Sequence, residues 1–158
     1  MGRTPKTYEP SGVDVAISIP ARQYDVLAGI LIDAVRAGAS GEDPRSAATQ
    51  AARIKGAERG ASQRERLRPG RLGAERALTV AGEILDECGY EPQRAAPTQL
   101  RLRNCPFHPL AARAPDVVCA VNQAYLSGLL DGLGATSAKA VPDPEPGTCC
   151  VMLTGTLR

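Results

Sequence analysis

The run PDVVCAVNQAYLSGLLDGLG, residues 115–134, is broadly apolar, and it forms the strongest helix signal in the chain. Gly134 closes it. A helix that is apolar nearly all round has to be covered by other elements. The residues available for that cover are aliphatic: 43% of the chain is hydrophobic, but only 3% is aromatic, with no Trp and one Phe. Short strands flank the helix. TQLRLR (98–103) alternates cleanly, and the arm before it, YEPQRAA, contains Pro92, with Pro97 behind it. Those prolines confine it to a sheet edge or a loop. After the helix, TSAKAVPDPEPGTCCVMLTG reads as two short strands around a Pro/Gly turn. The predicted unit is therefore ββαββ, a small antiparallel sheet carrying the helix on one face.

Upstream, Val13, Val15, Ile17 and Ile19 alternate with less apolar residues, the pattern of a half-buried strand that ends at Pro20. From Ala21 the period becomes helical, through Tyr24, Leu27, Ala28, Leu31, Ala34 and Val35, until AGASGEDP breaks it. Such a seam either pairs with a second chain or packs on its own domain. Residues 51–76 carry eight Arg/Lys against three Glu, interrupted by Gly56, Gly60, Pro69 and Gly70. This stretch could touch phosphate. It has no aromatic residue to stack on a base, and it also reads as a solvated helix followed by a mobile connection. A second amphipathic helix begins near Gly73, with Ala77, Leu78, Ala81, Leu85 and Cys88 on one face and Gly89 as its stop. The fold class is α+β: an N-terminal strand and helices, then the ββαββ unit.

The opening MGRTPKTYEPSG has no apolar run, so neither a secretory signal nor a transit peptide is expected. Nor do about 18 apolar residues occur in succession, as an ordinary membrane span requires. A soluble cytoplasmic protein without membrane contact is the expectation. In that compartment its five cysteines are thiols or metal ligands more readily than disulfides. The net charge of +2 singles out no partner.

Four of those cysteines fall in two short stretches, RLRNCPFHPLAARAPDVVC and GTCCV, with the only histidine in the first. Cys105 ends a strand, Cys119 lies in the first turn of the long helix, and Cys149 and Cys150 open the last strand. A strand end, a helix N-terminus and a strand start can meet at one corner. Three thiols there would make a cage for a soft metal or cluster. The helix N-terminus is expected to lower the Cys119 pKa. Strand alternation is expected to turn one of Cys149 and Cys150, not both, toward the site. His108 follows Cys105 at a C-x₂-H spacing that a shared zinc ion would accept. Without a C-x₂-C knuckle, two other readings stay open: small buried thiols, and thiol redox sensing through Cys149–Cys150. Cys88 reads as a buried structural thiol.

NCPFHPLAARAPDVVCAVNQAYLSGLLDGLG followed by PGTCCV resembles the C-terminal sensory region of ArsR-like winged-helix transcriptional regulators, in the iron–sulfur, suf-operon repressor branch. Asn104-Cys105-Pro106, Cys119 and Gly147-Thr148-Cys149 stand where that branch has its cysteine motifs. GRTPKTYEP resembles the last strand of the winged-helix wing, and the helix from Ala21 the dimerisation helix. The resemblance implies three segments: a wing remnant at 1–19, a dimerisation helix and basic linker at 20–72, and a cysteine-containing sensor domain at 73–158. It implies an iron–sulfur cluster on Cys105, Cys119 and Cys149, with Cys150, His108 or a non-protein group as fourth ligand. Zn²⁺ is the alternative occupant. It further implies a homodimer, and operator DNA as a partner where a winged-helix head is present. Most of that head is absent from this sequence, so no groove-reading element is expected in it. Backbone contacts would fall to Arg3, Lys6, Arg53 and Lys55.

Two other functions compete. A stand-alone module could hold zinc or an apolar small molecule between sheet and long helix, with the cysteines incidental. A thiol oxidoreductase could use Cys149–Cys150. Against catalysis, there is no C-x-x-C, no P-loop, and no second histidine to pair with a nucleophile. The chain is read as a non-enzyme.

Overall fold

The computed structural model describes residues 6–9, 17–38 and 41–156. Five helices and four strands follow in the order α1 (Tyr24–Gly38), α2 (Pro44–Leu67), α3 (Ala74–Glu87), β1 (Pro92–Ala96), β2 (Gln99–Leu102), α4 (Leu110–Arg113), α5 (Pro115–Leu133), β3 (Ala138–Pro142) and β4 (Val151–Gly155). The fold is α+β, and ββαββ is its second half, with the single-turn α4 added before α5. The predicted N-terminal strand lies largely outside the described residues; its described end, Ile17–Ile19, is not in a strand.

The sheet is antiparallel throughout, in the order β1-β2-β4-β3. Pro92 and Pro97 have their expected effect: β1 is an edge strand. Leu100, Leu153 and Ala140 are in register across β2, β4 and β3, and all three are buried. Their sequence neighbours Arg101, Met152 and Val141 form the more open face. The helices α3 and α5 cover the apolar face, α2 packs along α5, and α1 packs on α2. One core joins them, from Leu27 and Ile30 of α1 through Ala47 and Ala52 of α2 to Leu126 and Leu129 of α5 and Val151 of β4. The segments read as 20–72 and 73–158 thus share a single interior. Among the described residues no helix is long and apolar enough to cross a membrane.

The largest departure from expectation is α2. Gly56 and Gly60 do not interrupt it; the helix runs unbroken to Leu67 and stops at Arg68, Pro69 and Gly70. Both glycines are buried against the backbone of α5. A Cβ on Gly56 would overlap the Tyr125 carbonyl, and one on Gly60 the Leu129 carbonyl. The relation is mutual, since a Cβ on Gly128 or Gly132 of α5 would overlap the carbonyls of Arg53 and Ala57. Two Gly-x-x-x-Gly faces therefore bring two backbones into direct contact, where Cα–H groups lie against carbonyl oxygens. At the far end, Arg64 of α2 donates to the Leu133 carbonyl at 2.6 Å and so satisfies the last turn of α5.

Candidate functional site: a buried thiol cluster

The last turn of β2 leads into Asn104-Cys105-Pro106. Cys119 sits on the fifth residue of α5, beyond its first turn. Thr148–Cys150 form a bend just before β4, tied down where the Cys149 N–H donates to the Leu102 carbonyl at 2.8 Å. These three segments meet. Cys105 and Cys149 are buried, and Cys119 and Cys150 half-buried. Each of these four thiols is influenced by its cysteine neighbours, Cys149 by Cys105 and Cys150, and Cys119 by Cys150 and Cys105, so the four lie together at this corner.

Two expectations about this corner are corrected. Because Cys149 and Cys150 precede β4 in a bend, strand alternation does not apply, and both side chains take part. The Cys119 thiol is not eased toward ionisation. Burial, and then the Cys150 side chain beside it, push it up to about 12. Lying past the first turn, Cys119 is beyond the reach of the helix terminus, whose field fades within that turn.

Burial and the neighbouring thiols shift these groups in different directions. Contacts to Cys105 and Cys150, reinforced by burial, push the Cys149 thiol far up. Cys150 is lowered to about 6, first by its contact with Cys149, then by Cys119 and Asn122, against the opposing effect of burial. Cys105 is lowered too, by Cys149 first and by the backbone N–H groups of Phe107 and His108.

Behind the thiols stands a polar pair that sequence reasoning missed. Asn122, fully buried in α5, donates from Nδ2 to Cys149 Sγ at 3.1 Å. Its Oδ1 accepts from the Tyr90 hydroxyl at 2.7 Å, and that ring is also buried. The available signal was a lone amide amid the apolar residues of the long helix, and Tyr90 directly after the Gly89 stop.

His108 is exposed, and its backbone N–H donates to the Cys105 carbonyl at 3.0 Å. Cys88 lies apart from the cluster, at the C-cap of α3, buried, with the Arg59 guanidinium 3.9 Å from its sulfur. Of the proposed phosphate contacts, Arg53 is ion-paired with Asp131 at 2.6 Å and Lys55 with Glu58 at 4.0 Å. Lys6 is exposed, and Arg3 is outside the described residues.

Among the described residues no group of three or more His, Cys, Asp or Glu side chains is arranged to hold a metal ion. In donor chemistry the corner suits a soft ion or cluster: four sulfurs, with the Asn122 N–H aimed at one of them, Cys149. Comparison with family models, with curated proteins and with solved structures finds no match to this chain.

Proposed function

We propose that this chain is the sensor and effector part of a transcriptional regulator of the ArsR-like, iron–sulfur branch. An iron–sulfur cluster, or zinc in its place, would be held by Cys105, Cys119 and Cys149, with Cys150 as fourth ligand. One observation carries the reading. Four cysteines from three separated segments meet at one corner, and a fully buried amide, Asn122, donates to one of their sulfurs, a provision that thiols serving only as packing do not need. Binding would draw the sulfurs around one centre and so order that corner. A cytoplasmic homodimer is part of the proposal. Leu31, Ile32 and Val35 of α1 and Ile54 of α2 are exposed, which gives the seam an apolar face for a second copy. DNA contact would come from a winged-helix head.

The test is iron, acid-labile sulfide and zinc per chain after strictly anaerobic purification. Stoichiometric iron and sulfide, lost in Cys105→Ser, Cys119→Ser and Cys149→Ser proteins, is the expected result. Unchanged metal content in all three variants would sink the reading.

A second reading, thiol redox sensing, draws on Cys150, whose pKa is lowered to about 6 beside Cys149 and Cys119. Protein that stays metal-free after reconstitution yet forms a disulfide with peroxide would favour it.

A further inference from the structure

Three consecutive residues leading into α1 grip the loop that carries Cys105. Arg22 Nη1 donates to Asn104 Oδ1 at 3.1 Å and to the Cys105 carbonyl at 2.8 Å. The Gln23 N–H donates to the Pro106 carbonyl at 3.1 Å. The Tyr24 hydroxyl donates to the His108 carbonyl at 2.7 Å. Four bonds from residues 22–24 thus hold four of the five residues 104–108. Asn104 passes the grip on, donating from Nδ2 to the Gly89 carbonyl. Gly89 has φ +78°, and a Cβ there would meet the Ala21 Cβ at 2.9 Å, so residue 21 lies against it.

We infer that this strap makes the first turn of α1 answer to the state of the thiol corner, so that a soft metal ion bound there changes the order of α1. The inference rests on the thiol-cluster reading, and names how that site would be read out. Cys105 is the point of coupling because its sulfur and its carbonyl have different partners. Its sulfur joins the cluster through Cys149, while its carbonyl is held by Arg22. A movement of the Cys105 backbone that brings the sulfur to a common centre moves the acceptor that Arg22 holds. Besides the strap, the loop is anchored by the buried Phe107 ring and by the Asn104 backbone N–H, which donates to the Tyr90 carbonyl at 3.0 Å; of these anchors the strap is the one made by residues at the start of α1. The receiving helix is the one whose outer face is apolar and exposed, at Leu31, Ile32 and Val35. Coupling of this kind is reciprocal: whatever the ion does to α1, the strap does to the ion's affinity.

The test compares wild-type protein with Arg22→Ala and with Arg22→Lys, which keeps the charge but cannot fork between two acceptors. In metal-free protein, N-ethylmaleimide labelling is followed by mass spectrometry. Buried Cys105 reacts through loop opening, so Arg22→Ala should raise its rate about tenfold relative to Cys119, with Arg22→Lys in between. The second arm uses Cd²⁺ alone as probe. It should slow amide exchange across Leu27–Ala34 in wild type, and leave it unchanged in Arg22→Ala protein carrying the same Cd²⁺ per chain. Equal labelling of Cys105 in all three proteins would overturn the inference, as would equal slowing of α1 exchange in wild type and variant. Were wild type to take up no Cd²⁺, the thiol-cluster reading would fall, and the strap would still be decided. Exchange in α1 before and after Cys105 labelling then replaces the second arm: acceleration in wild type beyond that in Arg22→Ala supports coupling, and no acceleration rejects it.

Discussion

Asn122 donates its side-chain N–H to Cys149 Sγ at 3.1 Å from inside an apolar helix, at a position with no exposure to solvent. A buried amide is stable only with its partners made, and Tyr90 supplies the other one at 2.7 Å. Asn122→Ala should lower stability by about 2–3 kcal/mol, because it leaves the Tyr90 hydroxyl buried and unpaired. Tyr90→Phe should cost about 1 kcal/mol, and the double variant less than the sum of the two. Urea unfolding of the metal-free protein measures all three. Additive losses would show that the pair does not act as a unit.

The α2–α5 seam gives a sharper contrast. Gly128→Ala places a methyl group on the Arg53 carbonyl, and the two helices must separate to admit it. A loss of about 2–3 kcal/mol is expected. Gly29, inside α1, has open space where its Cβ would be. Gly29→Ala should therefore stabilise the protein by about 0.5–1 kcal/mol through helix propensity. Thermal unfolding of the two variants beside wild type settles the ranking.

Thiol chemistry should separate Cys150 from its neighbours. Cys150 is lowered to about 6 and Cys119 raised to about 12, although both are half-buried. At pH 7 iodoacetamide should label Cys150 first, with a rate that rises through a midpoint near its pKa of about 6. Cys119 should stay slow until well above the ordinary thiol value of 9.0. Peptide mapping after short pulses at a series of pH values reads both. Cys119 reacting as fast as Cys150 at pH 7 would contradict these opposite shifts.

The same shifts give the metal-free protein a pH optimum on the alkaline side. Cys150 ionises more readily folded than unfolded, so its contribution is present above the unfolded value of 9.0 and is lost as pH falls through about 6. Cys119 works in the opposite sense. Its contribution is present below 9.0 and is lost as pH rises through about 12. Tyr125, pushed up to about 12 mainly by burial, adds to that alkaline loss above its ordinary 10.0. The urea midpoint under reducing conditions should climb from pH 6 to about 9 and then decline. Cys150→Ser should flatten the climb and leave the decline.

Apolar periodicity was enough to find α1, α3 and α5, and the two prolines placed β1 at the edge. The unbroken course of α2 was hidden for a physical reason. Its residues are mostly polar, and glycine read locally is a helix breaker; only a partner helix that needs close approach turns Gly56 and Gly60 into contact points. The cysteines showed a similar division. A corner of strand end, helix start and strand start was expected, whereas Cys119 lies past the first turn of α5 and Cys149 in a bend before β4. The direction of Cys150 depended on a bend rather than a strand. Arg22, Asn122 and Tyr90 belong to no motif, since their roles exist only once distant segments are brought together.

The four glycines of the α2–α5 seam also say how kin of this chain could be recognised. Backbone pressed on backbone tolerates almost no substitution, whereas the basic surface of α2 can drift at little cost. A lineage carrying this architecture should therefore preserve two spaced pairs of tiny residues after most of its other letters have changed. One pair would lie in a charged helix, the other in an apolar helix downstream of a cysteine. That sparse pattern, more than overall identity, is the fingerprint with which to look for cousins.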